Sequence, residues 1–111
     1  MIEAIIRNYL IGQLDVPVYI DVPAEPPGSY VVIQRTGGGK VEHIRNARFA
    51  IQSYGDSRLE AATLHERVLD VLPDIADGEL VSACDVVSEY DFTDTTTKKY
   101  RYQAYFEIIY Y

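Results

Sequence analysis

The chain has 111 residues, seventeen of them Asp or Glu against ten Lys or Arg, with a formal charge of −7 and a pI near 4.6. This length fits one domain, able to bury roughly two thirds of its surface without a covalent staple, and the single Cys84 excludes an intrachain disulfide. The acidic balance argues against a protein that grips nucleic acid or an anionic membrane surface, because both forms of binding are driven by Lys and Arg. It leaves open a protein that surrounds DNA without holding it.

Ten Tyr and no Trp stand out in an otherwise ordinary globular composition. Tyr joins a large apolar ring to a polar tip and is enriched on strands and at interfaces. The start, Met-Ile-Glu-Ala-Ile-Ile-Arg, lacks the basic segment and apolar run of a secretory signal, and no stretch approaches the ~20 apolar residues of a membrane span. Cys84 lies in an apolar alternating run and reads as a small core residue in a reducing compartment.

Residues 2–13 predict a helix, with Ile2, Ile5, Ile6, Tyr9 and Leu10 at helical spacing and Glu3–Arg7 as an i,i+4 pair. Residues 16–23 predict a short extended segment at a sheet edge, because Pro17 and Pro23 remove two ladder donors. Residues 24–29 form a proline-stiffened loop. A strand follows over 30–36, then the break Gly37-Gly38-Gly39, then extended chain from Val41 to Tyr54. Strand, glycine loop and strand predict a hairpin with a flexible tip at Gly37, Gly38, Gly39 and Lys40. Lys40, His43, Arg45 and Arg48 make this segment basic.

Ser57-Arg58-Leu59-Glu60 has the form of a capping box, opening a helix whose apolar stripe is Ala61, Leu64, Val68, Leu72 and Ile75. Pro73 kinks or ends it in the last turn. Residues 80–92 alternate, placing Leu80, Ser82, Cys84, Val86, Ser88, Tyr90 and Phe92 on one face and Val81, Ala83, Asp85 and Val87 on the other. Asp94–Thr97 is a polar turn into a last strand that alternates to the final residue. Its inner face is Tyr100, Tyr102, Ala104, Phe106, Ile108 and Tyr110. Its outer face still carries Tyr105, Ile109 and Tyr111, more apolar surface than a solitary domain needs. Helix, strands, helix and strands, joined by hairpins, predict an α+β domain in two layers, an antiparallel sheet of four to five strands with two helices packed on one face.

Motifs that carry chemistry are sparse. Gly37-Gly38-Gly39-Lys40 fails as a phosphate loop, since Gln34 and Val41 stand where Gly and Ser or Thr are needed. His43 and His65 lack partners at metal-ligand spacing along the chain. Glu89, Asp91 and Asp94 read as a solvated turn, and no serine sits in a glycine-framed elbow. No catalytic, cofactor-binding or metal residue is therefore assigned. Arg35, Lys40, Arg45 and Arg48 form either a solvated hairpin or a docking surface for an acidic neighbour, such as an adjacent copy of the chain.

The order of these segments resembles a known family. A short helix precedes Val18-Tyr19 and the proline loop before Tyr30-Val-Val-Ile. Then come Phe49-Ala-Ile-Gln-Ser-Tyr-Gly-Asp-Ser57, an Ala-rich amphipathic helix, and a final strand Tyr100-Arg-Tyr-Gln-Ala-Tyr-Phe-Glu-Ile. This is similar to the small tail-terminator or tail-completion proteins of long-tailed bacteriophages, often labelled minor capsid proteins in prophages. The resemblance covers nearly the whole chain and implies a non-enzymatic virion protein without cofactors. It implies a homo-oligomeric ring, a hexamer, that caps the tail tube and meets the head connector, in a virion assembled in the bacterial cytoplasm. The residues themselves carry Tyr105, Ile109, Tyr111, Arg45 and Arg48 as candidate interface positions. Two alternatives stand beside this reading: another head–tail connector or neck component, and a cytosolic α+β module that binds a small ligand or peptide on its sheet.

Overall fold

A computed structural model describes all residues 1–111. Two α-helices, α1 (Ile2–Gln13) and α2 (Arg58–Val71), pack on one face of a five-stranded sheet. The strands are β1 (Val18–Tyr19), β2 (Tyr30–Val41), β3 (Ile44–Gly55), β4 (Val81–Asp91) and β5 (Tyr100–Tyr110), in the order β1-β2-β3-β5-β4. This is the expected two-layer α+β domain. Strands of this length span roughly 40 Å, and they set the long axis of a body measuring 45 × 25 × 24 Å.

Both predicted hairpins form, and β2–β3, β3–β5 and β4–β5 are antiparallel. The sheet is nonetheless mixed. The two residues of β1 pair parallel with Val31 and Val32, because the chain from α1 enters the edge in the direction of β2. The segment from Pro17 to Pro23 lies at an edge, as the prolines require.

One apolar core joins the layers. Ile2, Ile6 and Leu10 of α1 and Ala61, Leu64 and Val68 of α2 are buried, and so are Val31, Ile33, Phe49, Ile51, Ala104, Phe106 and Ile108 on the sheet. Ile5 and Tyr9 pack at the margin, with the Tyr9 hydroxyl donating to the Val71 carbonyl at 2.7 Å. Glu3 and Arg7 do not pair along α1. Glu3 faces Arg35 on β2 at 3.7 Å, and Arg7 donates to the Val18 carbonyl at 2.9 Å. Both side chains find partners on the sheet, which outcompete a weak pair along the helix.

α2 begins at the expected cap. The Ser57 hydroxyl accepts from the Glu60 amide at 3.1 Å, while the Glu60 carboxylate reaches one residue further than a regular box and accepts from the Asp56 amide at 3.0 Å. Pro73 ends the α-helix, and the chain continues as a 3-10 helix over Leu72–Asp77 that still buries Leu72 and Ile75.

Two expectations about strand detail are corrected. The three glycines are not the hairpin tip. They lie inside β2, opposite Arg48, Ala47 and Asn46, and the turn is Glu42-His43, closed by the Val41–Ile44 pair. Both turn residues have positive φ, 48° and 72°, the geometry that matches strand twist in a two-residue hairpin. Gly38, with φ 152°, is required where it stands, because a Cβ there would lie 2.4 Å from the Asn46 carbonyl oxygen. The simple alternation expected across 80–92 is also broken. Bulges between Val81 and Ala83 and between Val86 and Ser88 each add a residue, and the first lets Val81 and Cys84 both be buried although strict alternation puts them on opposite faces. Leu80 is left outside.

Candidate assembly surface

The helices cover one face of the sheet and leave the other free. On β5 that free face carries Arg101, Gln103, Tyr105, Glu107 and Ile109. They lie level with Tyr54, Gln52, Ala50, Arg48 and Asn46 of β3. Tyr90, Ser88, Asp85 and Ala83 of β4 continue the rows. Odd-numbered β5 residues thus form the outward row that the alternation predicted.

At the end near Tyr30 this face is not bare. A chain of hydrogen bonds crosses three strands, each group donating to the next. Arg101 donates to the Tyr54 hydroxyl (3.2 Å), Tyr54 to the Gln52 side-chain oxygen (3.1 Å), Gln52 to Gln103 (2.7 Å), and Gln103 to the Tyr90 hydroxyl. Gln52 and Gln103 are buried without a helix above them. Tyr30 stacks on Tyr54 at 4.4 Å, Tyr19 meets Tyr30 edge-on, and the Arg101 guanidinium lies 4.3 Å over the Phe92 ring. Burial, reinforced by Tyr54, pushes the Tyr30 phenol up. Tyr90 is raised by desolvation and then by Tyr105. Phenols and amides that satisfy one another make a stiff, aromatic platform.

Toward the hairpin the surface opens. From Gln34 to Arg45 every residue is exposed, including Val41 and Ile44. Arg48 pairs with Glu107 at 3.4 Å, beside a groove of about 610 Å³ bordered by Gly37–Gly39, Asn46, Ser88 and Tyr105. Tyr105 and Ile109 are half-buried on this same face. Arg45 alternates away from it, level with Tyr110, and is exposed. Tyr111 lies past the strand end, 72% exposed, its amide bonded to the Leu80 carbonyl. Tyr105, Ile109 and Arg48 therefore come together, while Arg45 and Tyr111 mark the end of the sheet.

Sequence reasoning missed two constellations. The glutamine relay gives no local signal, because each member is an ordinary polar residue in its own strand. The second is His65, 2% exposed, whose Nε2 lies 2.9 Å from the Glu89 carboxylate, with the Tyr102 ring at 5.2 Å. Tertiary packing supplies the acidic neighbour that the chain spacing lacked. His65, Glu66 and Glu89 each offer a ligand atom within 4.8 Å of the others. Nδ1 of His65, however, is buried with no hydrogen-bond partner, whereas ligating histidines have that nitrogen oriented by one. The pair acts as a tie between α2 and β4.

Asp91 and Asp94 are structural. Asp91 accepts from Arg58 and the Thr93 amide, and Asp94 accepts from the Thr96 and Thr97 amides. Burial pushes the Cys84 thiol up to about 12, so at neutral pH it is a protonated core group. No helix is long and apolar enough to cross a membrane. Comparison of the chain with protein-family models and with curated proteins finds no match.

Proposed function

We propose that this protein is a structural component of a phage or prophage virion. It caps the tail tube as a homo-oligomeric ring, a hexamer, offers the surface on which the head connector joins, and acts by assembly rather than catalysis. The observation that carries this reading is the helix-free sheet face. It presents Tyr105 and Ile109 beside an uncovered basic hairpin on an acidic protein, which suits contact with copies of itself. The ring and the tail-tube partner are what the resemblance of the segment order to tail-terminator proteins implies. The acidic remainder of the chain suits a passage through which DNA slides without being held. Assembly takes place in the host cytoplasm, and the protein ends in the virion neck.

The test is the mass of the full chain by light scattering across concentration, alone and with polymerised tail tubes, followed by negative-stain imaging. A closed ring, or capture on tube ends, is expected. Tyr105→Asp with Ile109→Asp weakens assembly and leaves the monomer folded by circular dichroism. A monomer under every condition, with no tube binding, overturns the reading. The 610 Å³ groove then favours the second account, a module binding a small ligand or peptide on its sheet. Binding to a neck position other than the tube end identifies a different connector component.

A further inference from the structure

The sheet has two free edges, and they differ in charge. On one side β1 covers only Val31 and Val32, so no strand pairs with β2 from Ile33 to Val41. On the other side β4 is the last strand, and its outer edge is free along its whole length. Backbone amides and carbonyls unpaired along such edges are a template for another strand.

The two edges match in four respects. The first is length. Following the register across the sheet, Ile33 is level with Glu89 through Ile51 and Ala104, and Lys40 is level with Val81 through Arg45 and Tyr110. The second is direction. Three successive antiparallel pairings make β2 and β4 run oppositely, so a sheet continued from copy to copy meets as an antiparallel pair, the more stable kind. The third is bend. The bulge at Thr36 and the bulge at Val87 flank the Phe49–Phe106 level on its two sides, so both edges deviate from flatness in the same region of the sheet. The fourth is charge. Arg35 on β2 faces Glu3 and Arg48 on β3 is paired with Glu107, which leaves Lys40 on the β2 edge and Arg45 beside it on β3 as basic residues without an ion pair, with Glu42 in the turn between them. Residues 79–97, by contrast, contain Glu79, Asp85, Glu89, Asp91 and Asp94 and no Lys or Arg. Exposed apolar residues also meet at the joint, since Val41 comes level with Leu80.

We propose that the β2 edge of one copy adds to the β4 edge of the next, joining their sheets through an antiparallel strand pair with basic residues against acidic ones. This inference rests on the self-assembly reading above and names the surface that performs it. The contact uses different patches on the two partners. Such head-to-tail joints close into rings when the rotation permits, whereas self-complementary patches stop at a dimer.

The experiment reverses or introduces charge at exposed positions that make no side-chain bond within the fold. Lys40→Glu with Arg45→Glu makes both edges acidic. Asp85→Lys with Ser88→Lys makes both edges basic. Folding of each variant is checked by thermal melting. Assembly is followed by mass against concentration, alone and on polymerised tail tubes. Each variant by itself is expected to need at least about tenfold more protein to assemble, because both edges then carry charge of one sign. An equimolar mixture of the two recovers assembly with the variants alternating. In the wild type, a zero-length carbodiimide cross-link joins Lys40 to Glu79, the carboxylate nearest the Val81 level, between isotopically distinct copies. Amides of Gly37–Lys40 gain hydrogen-exchange protection as the protein assembles. If wild type assembles and both variants assemble equally well, with no such cross-link, the edge pairing is wrong and the ring reading stands. If wild type assembles neither alone nor on tubes, both fail.

Discussion

Replacing Gln103 tests the relay that stiffens the free face. Gln103→Leu keeps a similar volume at a position only 3% exposed, but it removes the acceptor of the 2.7 Å bond from Gln52. The Gln52 amide is itself 9% exposed and cannot recruit water freely. A buried donor left unpaired costs about 1–3 kcal/mol. Tyr90 also loses a donor, but it is 41% exposed and rehydrates, so its share is small. The single variant is thus expected to lose about 2 kcal/mol. Gln52→Leu costs a similar amount, because it strands the Gln103 oxygen and the donor of Tyr54, whose oxygen still accepts from Arg101. The double variant removes both partners of the central bond, and replacing both by apolar groups of like shape is close to neutral. It therefore costs less than the sum of the singles by at least about 1 kcal/mol, a coupling typical of residues in one network. Urea denaturation of the four proteins closes the cycle. Additive losses, or single variants as stable as wild type, would mean that the glutamines are solvated independently and that no relay spans the sheet.

Other perturbations follow from the local geometry. Ser57→Ala is expected to destabilise by about 1 kcal/mol in chemical denaturation, the usual loss of a good N-cap, and Glu60→Ala by less. An unaffected Ser57 variant would place the helix start elsewhere. Gly38→Ala costs about 1–3 kcal/mol, because its φ of 152° and the nearby Asn46 carbonyl leave no room for a Cβ. Gly37→Ala meets open space and should be neutral to slightly stabilising in thermal melts, so equal effects at the two positions would refute the assigned strand geometry. Asp94 is held below the ordinary value of 3.8 by the Thr97 and Thr96 amides, and Asp91 by Thr93 and then Arg58. A depressed carboxyl contributes stability that is present above 3.8 and is lost as pH falls through the lower folded value. Asp94→Ala should therefore be less stable than wild type at pH 7 and should flatten the acid limb of the stability–pH curve. Parallel curves would contradict the turn assignment.

Local patterns in the chain were enough for the elements and their class. The apolar stripe of α2, its serine cap and the Pro73 stop depend on neighbours within a few residues, and all appear where the spacing puts them. The alternation of β5 identified both the buried row through Phe106 and the outward row that carries Tyr105 and Ile109, because a strand's two faces are fixed by its own period.

Other features needed the folded sheet. The hairpin turn moved to Glu42-His43 because β3 pairs with β2 well beyond the glycines, and ladder bonds outweigh the looseness of three glycines. Val81 and Cys84 share the core because the bulge between Val81 and Ala83 resets the period of β4, a matter of register against β5. The parallel pairing of β1, the His65–Glu89 tie and the Gln52–Gln103 relay join residues far apart in the chain. Sequence spacing carries no distance information for such pairs, so only packing reveals them. The contrast between a basic β2 edge and an acidic β4 edge divides along the same line. The charges were present in the sequence, but their placement on opposite edges is set by the strand order β1-β2-β3-β5-β4.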